Sequence, residues 1–290
     1  MRNILVIGFN GQLGSELRLV ANAKDNINQY FYTDVAELDI TDKVAVSTYL
    51  ESEKIDIVVN CAAYTNVEKA EDDSDMADRI NHLAVQNLTE ACVNYNAFLI
   101  HVSTDYVFDG TNNIPYVETD ITKPLGVYGK TKLKGEEVII NSECEYVIIR
   151  TSWLYSVFGK NFVKTIQRLT AEKETLQVVF DQIGTPTYAH DLAYVIVTII
   201  QKDNFEGKNQ IYHFSNEGVC SWYDFAVAIN EAFEHDCKIL TCHSNNFPSK
   251  VKRPNYSVLD KTKIKQELGI EIPYWRDSLK KCVQTLKNNY

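Results

Sequence analysis

Two residues one helical turn apart, Tyr128 and Lys132, have the types and spacing needed for acid catalysis. Residues four apart in a helix project from the same face, so both side chains can serve one site. Hydride addition to a ketone creates an alkoxide that must be protonated. A phenol with an ordinary pKa of about 10 donates poorly unless a nearby cation stabilises its phenolate. The pair therefore predicts a ketone reductase in which Tyr128 is the acid and Lys132 the cation.

Two hydroxyl side chains, Ser103 and Thr104, stand at the end of the apolar run at 98–103, before Tyr128 in the chain. Thr104, or Ser103 before it, could hydrogen-bond to a substrate carbonyl and stabilise the charge that develops there. The alternative is that Tyr128 and Lys132 form an exposed helical pair, worth roughly a few tenths of a kcal/mol. Catalysis is favoured because the pair, the hydroxyls and a glycine-rich loop occur in an order that brings them to one sheet edge.

The glycine-rich loop follows the first apolar run, where dinucleotide-binding folds place a pyrophosphate. Glycines let the backbone turn tightly and approach the phosphates, whose charge is met by helix N-terminal amides. The alternative is a tight strand-to-helix turn without a ligand. The cofactor contacts predicted in this loop are Gly8, Asn10, Gly11, Gln12, Leu13 and Gly14.

Asp34 closes the second apolar run, about twenty residues past the loop, where a carboxylate reads the adenosine ribose. It would accept a hydrogen bond from the 2′-hydroxyl and repel a 2′-phosphate. The loop itself contains no Lys or Arg to bind that phosphate. Asp34 therefore favours NADH, although an aspartate at this place also suits a strand-end turn.

Short apolar runs alternate with segments of helical period, which is typical of βαβ units. The predicted strands are 3–8, 30–34, 56–61, 98–103, 146–151 and 177–181. The predicted helices are roughly 12–22, 42–53, 76–95, 128–141, 160–172, 187–201, one from near 221, and 275–288. The strand runs are apolar almost throughout, as in strands covered on both faces. The predicted class is α/β, a doubly wound parallel (Rossmann) sheet with a smaller, mostly helical C-terminal substrate lobe.

The domain division we predict is an NAD(P)-binding domain at 1–150 and a mainly substrate-binding lobe at 151–290. The strand near 176–181 and the helix near 187–201 are expected to return to the first domain. No linker, low-complexity stretch or internal repeat separates the two parts.

Composition and charge narrow the possible partners. The net charge of -10 leaves no global positive field for a polynucleotide, so no nucleic-acid partner is expected. Apolar runs at 4–7 and 193–200 are too short for a signal peptide or a membrane span, which predicts a cytoplasmic protein without a membrane partner. The seven scattered cysteines suggest free thiols. The histidines and cysteines at 235–243 match no common zinc spacing, so no metal site is predicted.

A series of short motifs runs along nearly the whole chain. They are Gly8-x-x-Gly11-Gln12-Leu13-Gly14, NCAAYT at 60–65, VEKAE at 67–71, STDYVF at 103–108, YGKTK at 128–132, RTSW at 150–153 and RP at 253–254. Together they resemble the extended short-chain dehydrogenase/reductase family, in the branch that reduces keto sugars of sugar nucleotides. The motif at 103–108 and the segment at 181–187 are specific to this branch.

The resemblance implies roles for the catalytic residues and for the sugar site. Tyr128 would donate the proton, Lys132 would bind the nicotinamide ribose and lower the phenol pKa, and Thr104 would orient the C4 ketone. Asp105 and Trp153 would contact the sugar. The alternatives are a turn residue for Asp105 and an ordinary core aromatic for Trp153.

Further contacts are expected at the cofactor and at the nucleotide. Arg253 could bind the nucleotide pyrophosphate through its planar donor fork, or lie on a solvated basic face. The cofactor contacts implied by the resemblance are Asp39, Ile40, Ala62, Ala63 and Thr65.

The resemblance implies NAD(P)H-dependent reduction of the C4 ketone of dTDP-4-dehydro-L-rhamnose to dTDP-L-rhamnose, the final step in making a cell-surface sugar donor. NADPH or dual use is typical of the family, which opposes the preference suggested by Asp34. Magnesium dependence is also known there, but no carboxylate cluster is visible, and a monomer or homodimer is expected. The alternatives are another nucleotide-sugar reductase, an epimerase or dehydratase of the same fold, and a non-catalytic regulatory subunit.

Overall fold

A parallel sheet of six strands forms the centre of the computed structural model, which describes residues 1–202, 209–246 and 249–288. The strands are β1 (Asn3–Ile7), β2 (Gln29–Thr33), β3 (Ile57–Asn60), β4 (Phe98–Thr104), β5 (Tyr146–Thr151), β6 (Leu154–Tyr155), β7 (Thr175–Val179), β8 (Ile183–Gly184), β9 (Thr187–Tyr188), β10 (Gln210–Phe214), β11 (Cys220–Ser221) and β12 (Lys238–Cys242). The main sheet has the order β10, β5, β4, β3, β1, β2. The connections therefore leave β1 in opposite directions, which opens a crevice at the carboxyl ends of the strands.

Helices cover both faces of this sheet. They are α1 (Gln12–Lys24), α2 (Lys43–Ser52), α3 (Val67–Asp72), α4 (Ser74–Asp78), α5 (Ala84–Tyr95), α6 (Val127–Ile140), α7 (Phe162–Glu172), α8 (Ala189–Gln201), α9 (Trp222–Phe233), α10 (Thr262–Leu268) and α11 (Trp275–Asn288). One core cluster joins α1 and α8 to the sheet, and a second joins α2 and α5 to its other face. The predicted doubly wound fold is confirmed.

The alternation of side chains along β1 explains the two layers. Ile4 and Val6 belong to the cluster under α1 and α8, whereas Leu5 and Ile7 belong to the cluster under α2 and α5. Successive side chains of a strand point to opposite faces, and all four are buried here. A run of consecutive apolar residues is therefore what a strand covered on both sides requires.

One predicted strand belongs to another part of the fold. The residues predicted at 177–181 lie mainly in β7, which pairs with β12 in a separate two-stranded sheet. The prediction that the strand near 176–181 returns to the main sheet is therefore wrong. β10 takes that place beside β5. The helix predicted near 187–201 is found as α8, packed against α1.

The smaller lobe has a core of its own. β6, β9, α7, α9 and α11 meet there around aromatic side chains that include Tyr155, Phe225 and Trp275. The cysteines are all free thiols. No helix within the described ranges combines the length and apolar character needed to cross a membrane.

The helix predicted at 76–95 is interrupted by a π-helical turn at Arg79–Leu83. The turn places the buried Asn81 where its side chain bonds both the backbone of Tyr64 and the hydroxyl of Thr131 on α6. α6 approaches closely because Gly135 lies against the Asn81 carbonyl, where a Cβ would overlap it. This contact ties α6 to the segment after β3. Such turns often occur next to functional sites.

Candidate active site

A cavity of about 900 Å³ lies over the carboxyl ends of β1 to β5 and extends to the smaller lobe. The sequence-predicted residues that line it are Gly8, Gly11, Gln12, Leu13, Asp34, Asp39, Ile40, Ala62, Ala63, Thr65, Thr104, Asp105, Tyr128, Lys132, Trp153 and Arg253. Asn10 and Gly14 lie outside this lining. The fold therefore brings nearly all the predicted residues to one surface.

The glycine-rich loop is shaped by close backbone contacts. Gly8 has φ +76°, and a Cβ there would lie 2.8 Å from the backbone nitrogen of Ala62. A Cβ on Gly14 would lie 2.5 Å from Cα of Phe9, so this glycine lets α1 start against the loop. Gly11 is the N-cap of α1 and makes no side-chain cap hydrogen bond. The first amides of the helix are therefore available to an anion, and the loop fits a dinucleotide pyrophosphate.

Asp34 ends β2 at the rim of the cavity. Its carboxylate accepts hydrogen bonds from the backbone of Asn10 at 3.2 Å and of Val35 at 2.8 Å. The Glu37 carboxylate accepts from the Asp34 backbone at 2.9 Å. Two carboxylates therefore stand at the place where the adenosine ribose of a dinucleotide would lie. This arrangement opposes a 2′-phosphate.

The hydroxyls predicted to be catalytic lie at the wall of the cavity. Tyr128 lies in the first turn of α6. This turn packs onto the one at Asp105–Val107 because Gly129 has no Cβ to overlap the Tyr106 carbonyl. The Thr104 hydroxyl and the Tyr128 phenol both line the cavity. Burial raises the Tyr128 pKa, and the neighbouring Thr104 hydroxyl acts to lower it. The phenol is therefore protonated near neutral pH, as an acid catalyst must be.

Lys132 lies one turn further along α6 and is buried. Its Nζ donates to the carbonyl of Val102 at 2.7 Å and lies 3.2 Å from Nε2 of His101. Burial lowers the Lys132 pKa to about 8, while the Glu136 carboxylate acts in the opposite direction. Since its amine is directed to these partners, the lowering of the phenol pKa by Lys132 stays a prediction.

The two hydroxyls considered at the end of β4 face different surroundings. Ser103 donates to the buried Glu136 carboxylate at 2.5 Å, and Arg150 pairs with the same carboxylate at 2.7 Å. Thr104 instead donates to the Asp105 carboxylate at 3.0 Å and lines the cavity with Tyr128. Thr104 is thus the hydroxyl placed to meet a substrate carbonyl, whereas Ser103 belongs to a buried ion-pair network.

Asp105 is buried beside Thr104. Burial raises the pKa of its carboxyl to about 7, although the neighbouring hydroxyls of Ser257 and Thr104 act to lower it. A carboxyl with this pKa can donate or accept a hydrogen bond near neutral pH. It therefore suits the binding of a sugar hydroxyl.

An aromatic pair forms the other end of the cavity. Trp153 stacks on Trp222 of α9 with ring centroids 3.6 Å apart and planes within 8°. Gly184 makes room for this pair, since a Cβ there would lie 2.6 Å from Cε2 of Trp153. Arg253 also lines the cavity and pairs with Glu68 at 3.2 Å. This end of the cavity, the predicted sugar end, therefore depends on side chains from distant parts of the chain.

Several lining residues were missed by sequence reasoning. Trp222 lines the cavity from the start of α9, and Lys160 and Asn161 line it beside the glycine loop, where Asn161 donates to Gln12 at 3.0 Å. Arg79 lines the adenosine side and donates to Thr41 at 2.7 Å. No sequence signal marked these positions, because they belong to no motif and reach the cavity through tertiary packing.

Within residues 1–202, 209–246 and 249–288, no group of three or more His, Cys, Asp or Glu side chains is placed to hold a metal ion. These described residues therefore do not offer a magnesium site.

The chain is similar to known proteins over nearly its full length. Residues 1–288 match the family model described as RmlD substrate binding domain. A protein named dTDP-4-dehydrorhamnose reductase from Aggregatibacter actinomycetemcomitans is 41% identical, with 97% of this chain and 98% of the relative covered.

Two solved structures agree with this. A dTDP-4-dehydrorhamnose reductase from Clostridium acetobutylicum has a TM-score of 0.93 at 40% identity and covers 98% of this chain and 99% of its own. One from Bacillus anthracis, in complex with NADP, has a TM-score of 0.92 at 34% identity with the same coverage. The protein is an oxidoreductase, and its chain belongs to the dTDP-4-dehydrorhamnose reductase family.

Proposed function

We propose that this protein reduces the C4 ketone of dTDP-4-dehydro-L-rhamnose to the alcohol of dTDP-L-rhamnose, with NADH or NADPH as the reductant. The observation that carries the proposal is that Thr104, Tyr128 and Lys132 line one cavity together with the glycine-rich loop. The names of the full-length relatives supply the identity of the sugar nucleotide.

In this proposal one residue holds the ketone and another supplies the proton. A bound nicotinamide supplies hydride to C4 of the sugar. Thr104 donates a hydrogen bond to the carbonyl oxygen, and the Tyr128 phenol gives that oxygen its proton as the alcohol forms. Lys132 holds the nicotinamide ribose and stabilises the phenolate left on Tyr128. The product therefore gains one hydride and one proton.

The remaining cavity residues bind the two ligands. Asp105 and Trp153 contact the sugar, and Arg253 exchanges its pairing with Glu68 for the nucleotide pyrophosphate. The cofactor is held by Gly8, Asn10, Gly11, Gln12, Leu13, Gly14, Asp34, Asp39, Ile40, Ala62, Ala63 and Thr65. Residues 1–150 form the NAD(P)-binding domain together with α8 and β10, and the other described residues from 151 onward form mainly the substrate lobe. The enzyme works in the cytoplasm as a monomer or homodimer, which sedimentation equilibrium distinguishes.

The test follows nicotinamide absorbance with the keto sugar generated in place by its upstream enzymes. We expect oxidation that requires the sugar, and a fall in kcat of about 10²- to 10⁴-fold in Tyr128→Phe with little change in cofactor affinity. Tyr194→Phe, which removes a hydroxyl from an exposed helical tyrosine, is the matched control and keeps full activity. If neither cofactor is oxidised, the assignment fails, and another keto sugar or a regulatory role takes its place.

A further inference from the structure

Asn60 and His101 continue the hydrogen bonds of Lys132 into the sheet, away from the cavity. They are register neighbours on β3 and β4, and both are buried. Asn60 Nδ2 lies 3.2 Å from His101 Nδ1, and Lys132 Nζ lies 3.2 Å from His101 Nε2. Each ring nitrogen of His101 therefore faces a nitrogen atom of another side chain, the Asn60 amide at Nδ1 and the Lys132 amine at Nε2.

The orientation of the Asn60 amide is set by the backbone. The N–H of Ala62 donates to Asn60 Oδ1 at 3.1 Å, so this side of the amide must be oxygen. The nitrogen of the amide then faces His101 Nδ1. An amide nitrogen only donates, so Nδ1 must accept.

A neutral imidazole has one accepting nitrogen and one N–H. Burial, and then the charge of Lys132, lower the His101 pKa well below its ordinary value, so the ring is neutral. If Nδ1 accepts from Asn60, the proton is on Nε2 and points at Lys132. An ammonium has no lone pair to receive it, whereas an uncharged amine has one. Both forms of Lys132 can still donate to the Val102 carbonyl.

We propose that His101 is a positioning residue that links the charge of Lys132 to the orientation of the Asn60 amide. With Lys132 uncharged, Asn60 donates to Nδ1 and Nε2–H donates to the amine. When Lys132 takes up a proton from solvent, Nε2 becomes the acceptor and the ring proton moves to Nδ1. The Asn60 amide then turns its oxygen towards Nδ1 and releases Ala62.

The link reaches the wall of the cofactor site. Ala62 lines the cavity, and its backbone lies directly against Gly8 of the glycine-rich loop. The charge on Lys132 therefore affects the backbone that faces the cofactor. Because both pairings are internal to the protein, the linkage exists before substrate binds.

The other ionisable groups around Lys132 allow both charge forms near neutral pH. Glu136 on α6 favours the ammonium, and so does Cys61 after β3. Burial acts more strongly in the opposite direction, and the pKa is lowered to about 8. Tyr128, one turn earlier on α6, is protonated and carries no charge.

The direct test is the tautomer of His101, read from nitrogen NMR of protein labelled at its six histidines. His101→Gln identifies the signal. Spectra are taken at about pH 9 and about pH 6, on either side of the Lys132 pKa of about 8. We expect the Nε2–H form at the higher pH and the Nδ1–H form at the lower. An unchanged tautomer, or Nδ1–H at the higher pH, overturns the proposal.

A second test uses the isosteric Asn60→Asp. The carboxylate of this variant accepts hydrogen bonds from both the Ala62 N–H and the His101 Nδ1–H. Nε2 of His101 is then free to accept a hydrogen bond from the Lys132 ammonium. We expect kcat to fall at high pH, and the midpoint of this fall to lie about one to two pH units higher in the variant than in the wild type. His101→Gln can also present an oxygen to Lys132 and should shift the profile in the same direction. A fall in kcat at every pH with an unmoved profile would mean a merely structural role.

His213→Gln is the matched control, because His213 is a buried histidine of the same sheet that faces Arg150 and not Lys132. It should leave the midpoint of the profile unchanged. The inference rests on the proposed function only through the role of Lys132. The histidine spectrum needs neither substrate nor turnover, so its failure and the failure of the proposed reaction are distinguishable.

Discussion

The two ends of the cavity are built in different ways. At the cofactor end, the glycine-rich loop meets backbone: Gly8 lies against Ala62, and Gly14 lies against Phe9. At the sugar end, Gly184 meets side chains, the indole of Trp153 and the hydroxyl of Ser257. The first end is fixed by how the main chain packs, and the second by which side chains are present.

This difference indicates which end can change without loss of the fold. Backbone contacts leave no room for adjustment, because moving one segment shifts the sheet or helix to which it belongs. A stacked indole can move at the cost of its own contacts. The sugar end can therefore change specificity while the cofactor end stays intact.

The largest effect is expected from Gly14→Ala, which places a Cβ against the backbone of the loop. Overpacking of this kind costs about 3 kcal/mol of stability. The loop must also move away from the pyrophosphate. We expect the cofactor Kd to rise by about 10²-fold or more, or the protein to lose its fold. Fluorescence titration with NADH and thermal unfolding measure both, and a variant with native affinity would contradict the backbone description.

Gly184→Ala is the matched change at the sugar end. Its Cβ displaces Trp153 from the stack on Trp222, while the glycine-rich loop is untouched. We expect kcat/KM for the sugar nucleotide to fall by about 10²-fold, because a displacement near 1 Å in a binding site can cost that much. The cofactor Kd should stay within about twofold of the wild type. A parallel loss of cofactor affinity would remove the distinction between the two ends.

Asp105→Asn tests the electrostatics of the sugar end. The folded-state pKa of about 7 lies above the ordinary value of 3.8, so the folded protein binds more protons between these pH values. The Asp105 carboxyl therefore decreases the free energy of unfolding as pH rises through this window, and the decrease reaches its full size above pH 7. We expect Asp105→Asn to be more stable by on the order of 3 kcal/mol at pH 8, with the gain vanishing near pH 4.

The measurement is urea unfolding at several pH values, compared with sugar-nucleotide kinetics. The variant should lose activity at the pH where it gains stability, since a buried carboxyl that serves binding costs stability. A gain in stability that does not depend on pH would mean that the charge of Asp105 is not its cause.

The same contrast decides how much the sequence predicts. The cofactor end could be predicted because its parts are local: a strand, a loop and a helix lie within 3–24, and Asp34 follows within one βαβ unit. Tyr128 and Lys132 were found because one helical turn fixes their spacing. Local spacing of this kind can be read from a single sequence.

The sugar end depends on partners that are far apart in the chain. Trp222 contacts Trp153 through the tertiary packing of the smaller lobe, and nothing in the sequence pairs them. β10 was missed, and β7 was assigned to the wrong sheet, because short apolar strands carry no mark of their partner. In the sequence, His101 likewise lies within an apolar run, and only the strand register shows that Asn60 is beside it.

Asp34→Ala tests the part of the cofactor end that is made by a side chain. With Asp34 and Glu37 both at the adenosine rim, we expect the wild type to prefer NADH by about tenfold in kcat/KM. Removing Asp34 should bring NADH and NADPH within about threefold. Glu37→Ala should change the preference less than Asp34→Ala, because Glu37 is exposed and its charge is better screened. A wild type that prefers NADPH would show that Asp34 does not decide the choice.

The smallest effect is expected from Lys160→Ala, where the smaller lobe touches the cofactor end. Lys160 lines the cavity next to the glycine-rich loop, and within the described ranges it has no ion-pair partner. An exposed cation near a pyrophosphate gives a modest attraction that salt screens. We expect the NADH Kd to rise about threefold at low salt, with the difference disappearing near 1 M salt. Lys173→Ala, an exposed lysine after α7 that does not line the cavity, should change nothing. A loss from Lys160→Ala that persists at high salt would mean that the loop around Lys160 shapes the cofactor site, and the division between the two ends would then lie further into the smaller lobe.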